Sequence, residues 1–172
     1  MCSLAPPLLS NPAIPSIQHS TPHHTQHHTQ HITQHSALIF VNDPHRVQIL
    51  TEQLLDMGLV AAPLHGESSK DDRKDILARM RDGRLRLVVC TELAARGLDI
   101  PGLTHVVNFE LPTDASHYIH RAGRCGRAAK RGLVVNFANP DTKFVVRRFG
   151  KQLGVKVRDC EIREGRVWLK AR

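Results

Sequence analysis

Short apolar runs alternate with segments of helical periodicity from residue 36 to about residue 155. Runs of four to six apolar-rich residues predict buried strands at 37–41, 59–64, 87–90, 105–109 and 133–138. Between several of them, apolar residues recur at the three- and four-residue spacing of one helix face. Near-continuous apolar strands separated by amphipathic helices are typical of an α/β domain whose mainly parallel sheet is covered by helices on both faces.

Capping signals mark the starts of the helices. Asp43 followed by Pro44 predicts an N-cap and a first turn, and Ser69 with Asp72 predicts a capping box that opens a helix to about residue 82. Asn139 predicts a third start. The residues expected to face the core are Val47, Leu50, Leu54 and Met57 in the first helix, Ile76, Leu77 and Met80 in the second, and Val145, Phe149 and Leu153 in the third.

The first 35 residues have a different composition. Residues 1–35 contain no Lys, Arg, Asp or Glu, and seven of the chain's 12 histidines fall between His19 and His35 in a Thr-Gln-His repeat. A repeat of this kind matches no helix or strand period, so we predict a disordered His/Thr/Gln/Pro-rich tail whose deletion leaves stability nearly unchanged. The tract either binds a transition metal or has no role. Nothing in it predicts a targeting signal.

Charge and cysteine content restrict the function classes. The net charge of +8 and pI near 9.9 favour a polyanion partner, most often a nucleic acid. No apolar run approaches the 18 residues of a membrane-spanning helix, which predicts no membrane partner. The four cysteines form no CxxC pair, so a paired-CxxC zinc site is excluded, and we expect reduced thiols in an intracellular protein whose compartment the sequence does not resolve.

Polar and basic residues are concentrated after the third and fourth predicted strands, where parallel sheets bind ligands. The segment 118–127 carries Arg121, Arg124 and Arg127 at spacing three, with Gly123 and Gly126 between them. Arginine offers a planar fork of donors to phosphate oxygens, and glycine lets the backbone approach closely. The segment therefore predicts an anion cradle, with a solvated basic loop as the alternative.

Residues 36–155 resemble the second RecA-like domain of DEAD-box ATP-dependent RNA helicases. Residues 120–127, His-Arg-Ala-Gly-Arg-Cys-Gly-Arg, match that family's HRxGRxGR motif, and residues 91–99 match T-(D/S)-x-x-A-R-G-x-D, with Glu92 in the Asp or Ser place. Asp114, Tyr118 and Ile119 match the segment that precedes the arginine motif. The resemblance implies a three-layer RecA-like fold. Residues 156–172 form an extension beyond it, which we predict to be a hairpin around Glu164 and Gly165.

The resemblance also implies a role for each matching residue. Arg124 and Arg127 would be catalytic arginine fingers on the ATP γ-phosphate, and Gly97 and Asp99 would complete the ATP-binding set. The residues expected to bind RNA or to couple RNA binding to the ATP site are Gly66, Arg73, Thr91, Arg96, His120 and Arg121. Three alternatives stay open, because Thr91 could cap a turn, Asp99 could pair with Arg96, and Arg121 could be structural. Lys70 stands where the family often has Gln and is left off the RNA set.

The phosphate-binding sequence GxxxxGK[ST] does not occur in the chain, nor does a DEAD-like acidic strand end. The resemblance implies ATP with Mg²⁺, the metal held mainly by a missing N-terminal RecA-like domain that acts in trans or in a full-length protein. We therefore expect the C-terminal half of an RNA helicase that is inactive alone. The alternatives are a stand-alone RNA-binding module and, with less support, an assembly factor that competes for helicase partners.

Overall fold

The computed structural model describes residues 2–5, 35–100, 102–126, 132–163 and 166–169. Its strands form one sheet in the order β3-β4-β2-β5-β6-β1-β7-β8. In chain order the strands are β1 (Cys2–Ala5), β2 (Ala37–Phe40), β3 (Ala61–Leu64), β4 (Leu87–Cys90), β5 (His105–Asn108), β6 (Leu133–Phe137), β7 (Arg158–Arg163) and β8 (Arg166–Leu169).

Five neighbouring strands, in the order β3-β4-β2-β5-β6, are all parallel. Their carboxyl ends lie at the same end of the sheet, which is called the carboxyl edge below. The central strand β2 pairs in register with β4 and β5, so that Phe40 lies opposite Cys90 on one side and Asn108 on the other. Strands β1, β7 and β8 extend the sheet with antiparallel pairings. The predicted α/β class with a mainly parallel sheet is confirmed.

The helices begin at the polar residues that the sequence marks as caps. They are α1 (Pro44–Asp56), α2 (Lys70–Arg81), α3 (Glu92–Ala95), α4 (Ala115–Ala122) and α5 (Lys143–Leu153). The Asp43 side chain accepts a hydrogen bond from the backbone N–H of His45, and Ser69 and Asp72 form the predicted capping box. The four residues of α3 were not predicted, because one turn carries no periodic signal.

Both faces of the sheet are covered by helices. Alternate residues of β2 point to opposite faces, as the pleat of a strand requires. Leu38 and Phe40 pack with residues of α2, α3, α4 and α5, whereas Ile39 packs with Val47 and Leu50 of α1. The side chains that lie beyond the carboxyl ends of the strands are therefore held between two packed layers.

Three core predictions differ from the structure at the ends of elements. Met57 is 74% exposed because α1 ends at Asp56, which places Met57 at the C-cap. Leu59 and Val60 are also exposed, and β3 begins only at Ala61. In α5, Val146 is buried more completely than the predicted Val145, because the helix begins at Lys143 and not directly after Asn139.

The predicted disorder of residues 1–35 is wrong for Cys2–Ala5. This segment forms β1, with four residue pairs to β6 and three to β7. A four-residue strand has no periodic pattern of its own, and its hydrogen-bond partners lie more than 120 residues away in sequence, so local sequence cannot reveal it. Residues 6–34 lie outside the described residues, and their disorder stays a prediction.

Deleting residues 1–5 is expected to lower the free energy of unfolding by about 2 kcal/mol or more. The deletion removes several backbone hydrogen bonds, each worth roughly 1 kcal/mol net, and leaves β6 and β7 each without a partner on one side. Urea unfolding measures the loss. Hydrogen exchange should show reduced protection in β6 and β7 but not in β4, which does not pair with β1. Unchanged stability would mean that β1 is not part of the folded sheet.

The chain ends in an antiparallel hairpin of β7 and β8, as predicted, with Cys160 opposite Leu169. Its turn residues, Glu164 and Gly165, lie outside the described residues. Among the described residues, no helix has the length and apolar character needed to cross a membrane.

Candidate functional site

The carboxyl ends of β2, β4 and β5 are tied together by the guanidinium of Arg121. One Nη donates to Asn42 Oδ1 at 2.8 Å, and the other donates to the Glu110 backbone carbonyl at 2.9 Å and to Asn108 Oδ1 at 3.3 Å. Nε donates to Glu92 Oε2 at 3.4 Å. Because these four acceptors lie on or just after three neighbouring strands, one side chain fixes the geometry of the whole edge.

Arg121 is buried within the domain. It is 3% exposed, and its guanidinium lies 5.1 Å from the centroid of the Phe40 ring. Burial lowers the pKa of Arg121, while the Glu92 carboxylate opposes that shift. Its donors are turned towards protein acceptors, which favours the structural role over the predicted role in RNA binding or coupling.

Glu92 connects the segment after β4 to helix α4. Its Oε1 lies 3.6 Å from His117 Nε2, 3.6 Å from His120 Nδ1 and 3.9 Å from an Arg96 Nη. That oxygen is buried, and in the described part of the chain it has no hydrogen-bond partner. His117 is held from its other side by Asp114 at 2.8 Å. The carboxylate thus lies among basic groups and places the exposed His120 and Arg96 at one surface.

Arg73 ties the loop after β3 to helix α3. Its three guanidinium nitrogens donate to the backbone carbonyls of His65 at 3.1 Å, Ser68 at 3.2 Å and Ala94 at 2.9 Å. These hydrogen bonds give Arg73 a positioning role, and its contact with RNA stays a prediction. Gly66 lies in this loop, is exposed, and has open space where a Cβ would stand.

Thr91 caps α3. Its Oγ1 accepts a hydrogen bond from the backbone N–H of Ala94 at 3.4 Å, and the residue is 7% exposed. Thr91 therefore caps a turn, which was the alternative interpretation of this residue. Only a small part of its surface remains accessible to a ligand.

The residues predicted on the ATP side come together around one loop. An Nη of Arg124 donates to the backbone carbonyl of Leu98 at 3.3 Å, between Gly97 and the exposed Asp99. Gly97 has φ +73°, a conformation that favours glycine, and nothing lies within 4 Å of where its Cβ would be. Because α4 ends at Ala122, Arg124 lies beyond the helix. Arg127 lies outside the described residues.

The cysteines near the site are unsuited to thiolate chemistry. Burial raises the pKa of Cys90 to about 12 and that of Cys125 to about 11, so both are protonated thiols at neutral pH. Across the described ranges, the structure contains no cluster of three or more His, Cys, Asp or Glu side chains that could hold a metal.

Sequence reasoning missed a buried polar network below the site. Asn108 Nδ2 donates to Asn136 Oδ1 at 2.8 Å, and Asn136 Nδ2 donates to the Tyr118 hydroxyl at 3.2 Å. Burial raises the pKa of Tyr118, which keeps its hydroxyl neutral. The signal in the sequence was an asparagine at the fourth position of each of two apolar strands, where burial without a partner is costly.

Comparisons with known proteins agree with this geometry. Residues 22–129 match the family model described as helicase conserved C-terminal domain. The DEAD-box ATP-dependent RNA helicase CshC of Bacillus cereus is 41% identical over 129 residues, which are 75% of this chain and 33% of that protein. The chain therefore spans about a third of the length of this relative.

Solved structures of DEAD-box proteins have the same fold. Dbp5 of S. cerevisiae bound to RNA and ADP BeF3 superposes with a TM-score of 0.64 at 30% identity, covering 72% of this chain and 35% of that one. E. coli SrmB bound to the regulator of ribonuclease activity RraA gives a TM-score of 0.64 at 32% identity, covering 68% and 69%. Motifs, fold and comparisons agree, and the chain belongs to the helicase C-terminal domain family, with the fold of the second RecA-like domain of DEAD-box RNA helicases.

Proposed function

We propose that this chain is the C-terminal half of an ATP-dependent RNA helicase. In this role it binds RNA backbone and supplies arginine fingers to an ATP site shared with a first RecA-like domain. The observation that carries the proposal is the position of Arg124, outside α4 and against the Gly97–Asp99 loop at the carboxyl edge of the sheet. Dbp5, which has the same fold, was solved with RNA and ADP BeF3.

The nucleotide side of the site fits a phosphate-bearing ligand in part. Gly97 leaves open space beside its backbone, Asp99 offers a carboxylate to a ribose hydroxyl, and Arg124 offers a fork of donors to phosphate oxygens. When bound with Mg²⁺, ATP supplies the phosphoryl group whose transfer drives the cycle. The described residues contain no acidic cluster for the metal, which fits a Mg²⁺ held mainly by the first domain.

Arg124 and Arg127 would act by electrostatic stabilisation. Positive charge placed in advance near the γ-phosphate stabilises the charge that builds up there during transfer. Arg121 contributes indirectly, because it fixes the segment from which Arg124 projects. Glu92 places His120 between this segment and the loop after β4, where His120 can couple nucleotide binding to RNA binding.

On the RNA side, Gly66, Arg96 and the small exposed part of Thr91 remain the residues proposed to meet the backbone. Contacts to phosphate and sugar carry little sequence information, so we expect sequence-tolerant binding. The first RecA-like domain is the proposed protein partner, in trans or within a longer protein, and the proposed location is intracellular.

A stand-alone RNA-binding module is the second candidate function. Two observations favour it: the net charge of +8, and the lack of a GxxxxGK[ST] phosphate loop in this sequence. It differs from the first proposal in one measurable respect, because a binding module does not increase ATP turnover when a first RecA-like domain is added.

The isolated chain is expected to hydrolyse ATP no faster than buffer, with or without RNA. Phosphoryl transfer needs the phosphate loop and metal ligands together with the arginine finger, and this chain offers only the finger. A phosphate-release assay on the purified chain, over a range of RNA concentrations, measures the rate. RNA-stimulated turnover that co-purifies with the chain through successive columns would contradict the half-site.

A further inference from the structure

A cationic cleft lies at the opposite end of the sheet from the candidate functional site. Helix α5 starts near the carboxyl edge and runs 11 residues, about 16 Å, towards the amino ends of the strands. Its last turn and the following loop enclose a cleft of about 370 Å³ lined by Arg147, Gly150, Lys151, Gly154 and Lys156 and by two valines. Nothing in the proposed helicase function uses this cleft.

Two glycines shape the cleft. A Cβ on Gly150 would stand 2.9 Å from the backbone oxygen of Val155 and 2.9 Å from a methyl group of Val157, so only glycine lets the loop pack against α5. Gly154 has φ +64°, which turns the chain back, and the Val155 N–H donates to the Gly150 carbonyl at 2.9 Å. This turn places Lys156 beside the last turn of the helix.

Three positively charged side chains line the cleft. Arg147 and Lys151 are four residues apart on one helix face, a spacing that is unfavourable for like charges unless an anion is bound. One Arg147 nitrogen lies 3.5 Å from Asp159. Lys151 and Lys156 are exposed and make no ion pair with a carboxylate of the described residues. A net positive charge therefore remains at the mouth of the cleft.

The basic side chains continue from the cleft towards the functional site. Lys143, Arg147 and Lys151 follow one another at four-residue steps along α5, and Lys143 lies in the first turn, at the carboxyl edge. This row runs between the two ends of the sheet, and the Asp159 carboxylate, 2.5 Å from Lys143 and 3.5 Å from Arg147, neutralises part of its charge. A linear polyanion could follow it, whereas a small free anion would fill only the cleft.

We propose that this cleft binds phosphate groups of an RNA strand, as a second contact outside the ATP-linked site. The proposal rests on the RNA binding inferred under the proposed function. Arg147, Lys151 and Lys156 neutralise the phosphates, and Gly154, with nothing within 4 Å of where its Cβ would stand, allows the strand to approach the backbone. The cleft offers no aromatic side chain for stacking, so it holds phosphate and does not read bases.

The test compares two triple variants of the full chain that each remove three positive charges. The cleft variant is Arg147→Gln, Lys151→Gln and Lys156→Gln. The control is Lys74→Gln, Arg81→Gln and Arg84→Gln, which lie at α2 and the turn that follows it. Affinity for single-stranded RNA is measured by fluorescence anisotropy over a range of salt concentrations. Thermal unfolding confirms that both variants fold.

The cleft variant should bind RNA at least about five-fold more weakly than the control. Its log–log salt dependence should be shallower by about 0.7 for each phosphate that the variant no longer neutralises. The Gly150 and Gly154 amide resonances of the parent should shift on addition of RNA. Equal affinities and slopes for the two variants would overturn the proposal.

Two further probes identify the source of the anion. If inorganic pyrophosphate or a polyglutamate peptide shifts the two glycine resonances at matched ionic strength while RNA does not, the cleft serves a free anion or an acidic protein and the RNA proposal fails. Failure of the arginine-finger proposal would instead appear as near-parental ATP turnover in an Arg124→Lys variant supplied with a first RecA-like domain and would leave the salt slopes unchanged, so the two failures are distinguishable.

Discussion

Replacing Arg124 with lysine is expected to lower RNA-stimulated ATP turnover by about 10³–10⁵-fold when a first RecA-like domain is supplied. This decrease corresponds to about 4–7 kcal/mol of transition-state stabilisation. Lysine keeps the charge but lacks the planar fork that can serve two phosphate oxygens at once. We expect Arg127→Lys to behave in the same way, since it belongs to the same motif. Steady-state hydrolysis by the chain fused to the first domain of a relative such as CshC measures the effect.

A matched control is Arg148→Lys, which makes the same change at an exposed position on α5 and should keep parental turnover. RNA affinity without nucleotide should change little in Arg124→Lys, because the guanidinium that is removed binds the nucleotide phosphate and not the RNA. Near-parental turnover in both finger variants would remove the arginine-finger assignment. A proportional decrease in RNA affinity would instead make this segment an RNA-binding one and favour the stand-alone binding module.

The second large effect is on stability, because Arg121→Met should lower the free energy of unfolding by about 3–5 kcal/mol. Methionine fills much of the volume and packs on Phe40, but it leaves the Glu92 carboxylate and the Asn42 and Asn108 side chains without their shared donor. Removing one partner of a buried charged network is more costly than replacing the whole network. Urea denaturation measures the change.

Arg81→Met, at the exposed end of α2, is the control and should change stability by less than about 0.5 kcal/mol. Arg121→Lys should lie between the parent and Arg121→Met, because an ammonium group keeps the charge near Glu92 but reaches fewer acceptors. If Arg121→Met unfolds at parental urea concentrations, the four hydrogen bonds do not hold the carboxyl edge together.

Features that depend on local chemistry were predictable from the sequence. The caps at Asp43 and Ser69 follow from hydrogen bonding within one turn, and the parallel strands follow from short apolar runs. Strand β1 was not predictable, since its stability comes from pairing with β6 and β7 and not from its own four residues. Elements that are stabilised only by partners distant in the sequence cannot be predicted from their own residues.

The position of the candidate site could be predicted from the sequence, whereas the contacts of its individual side chains could not. In the structure Arg124 lies against the loop that carries Gly97 and Asp99, and the proposed roles of these three residues in ATP binding stay a prediction. The family resemblance placed Arg73 and Arg121 in the set for RNA binding or coupling, and in the structure both donate to oxygen acceptors inside the domain. The sequence shows that a hydrogen-bond donor is present, but its acceptor is fixed only by the fold.

The most direct test of the half-site is RNA-stimulated ATP hydrolysis by this chain mixed with a separately expressed first RecA-like domain. Each component is assayed alone and the chain is then titrated into a fixed amount of the first domain. We predict that neither component is active alone and that turnover rises to saturation as the chain is added. A mixture no more active than the sum of its parts, or turnover by the chain alone, would contradict an ATP site shared between the two domains.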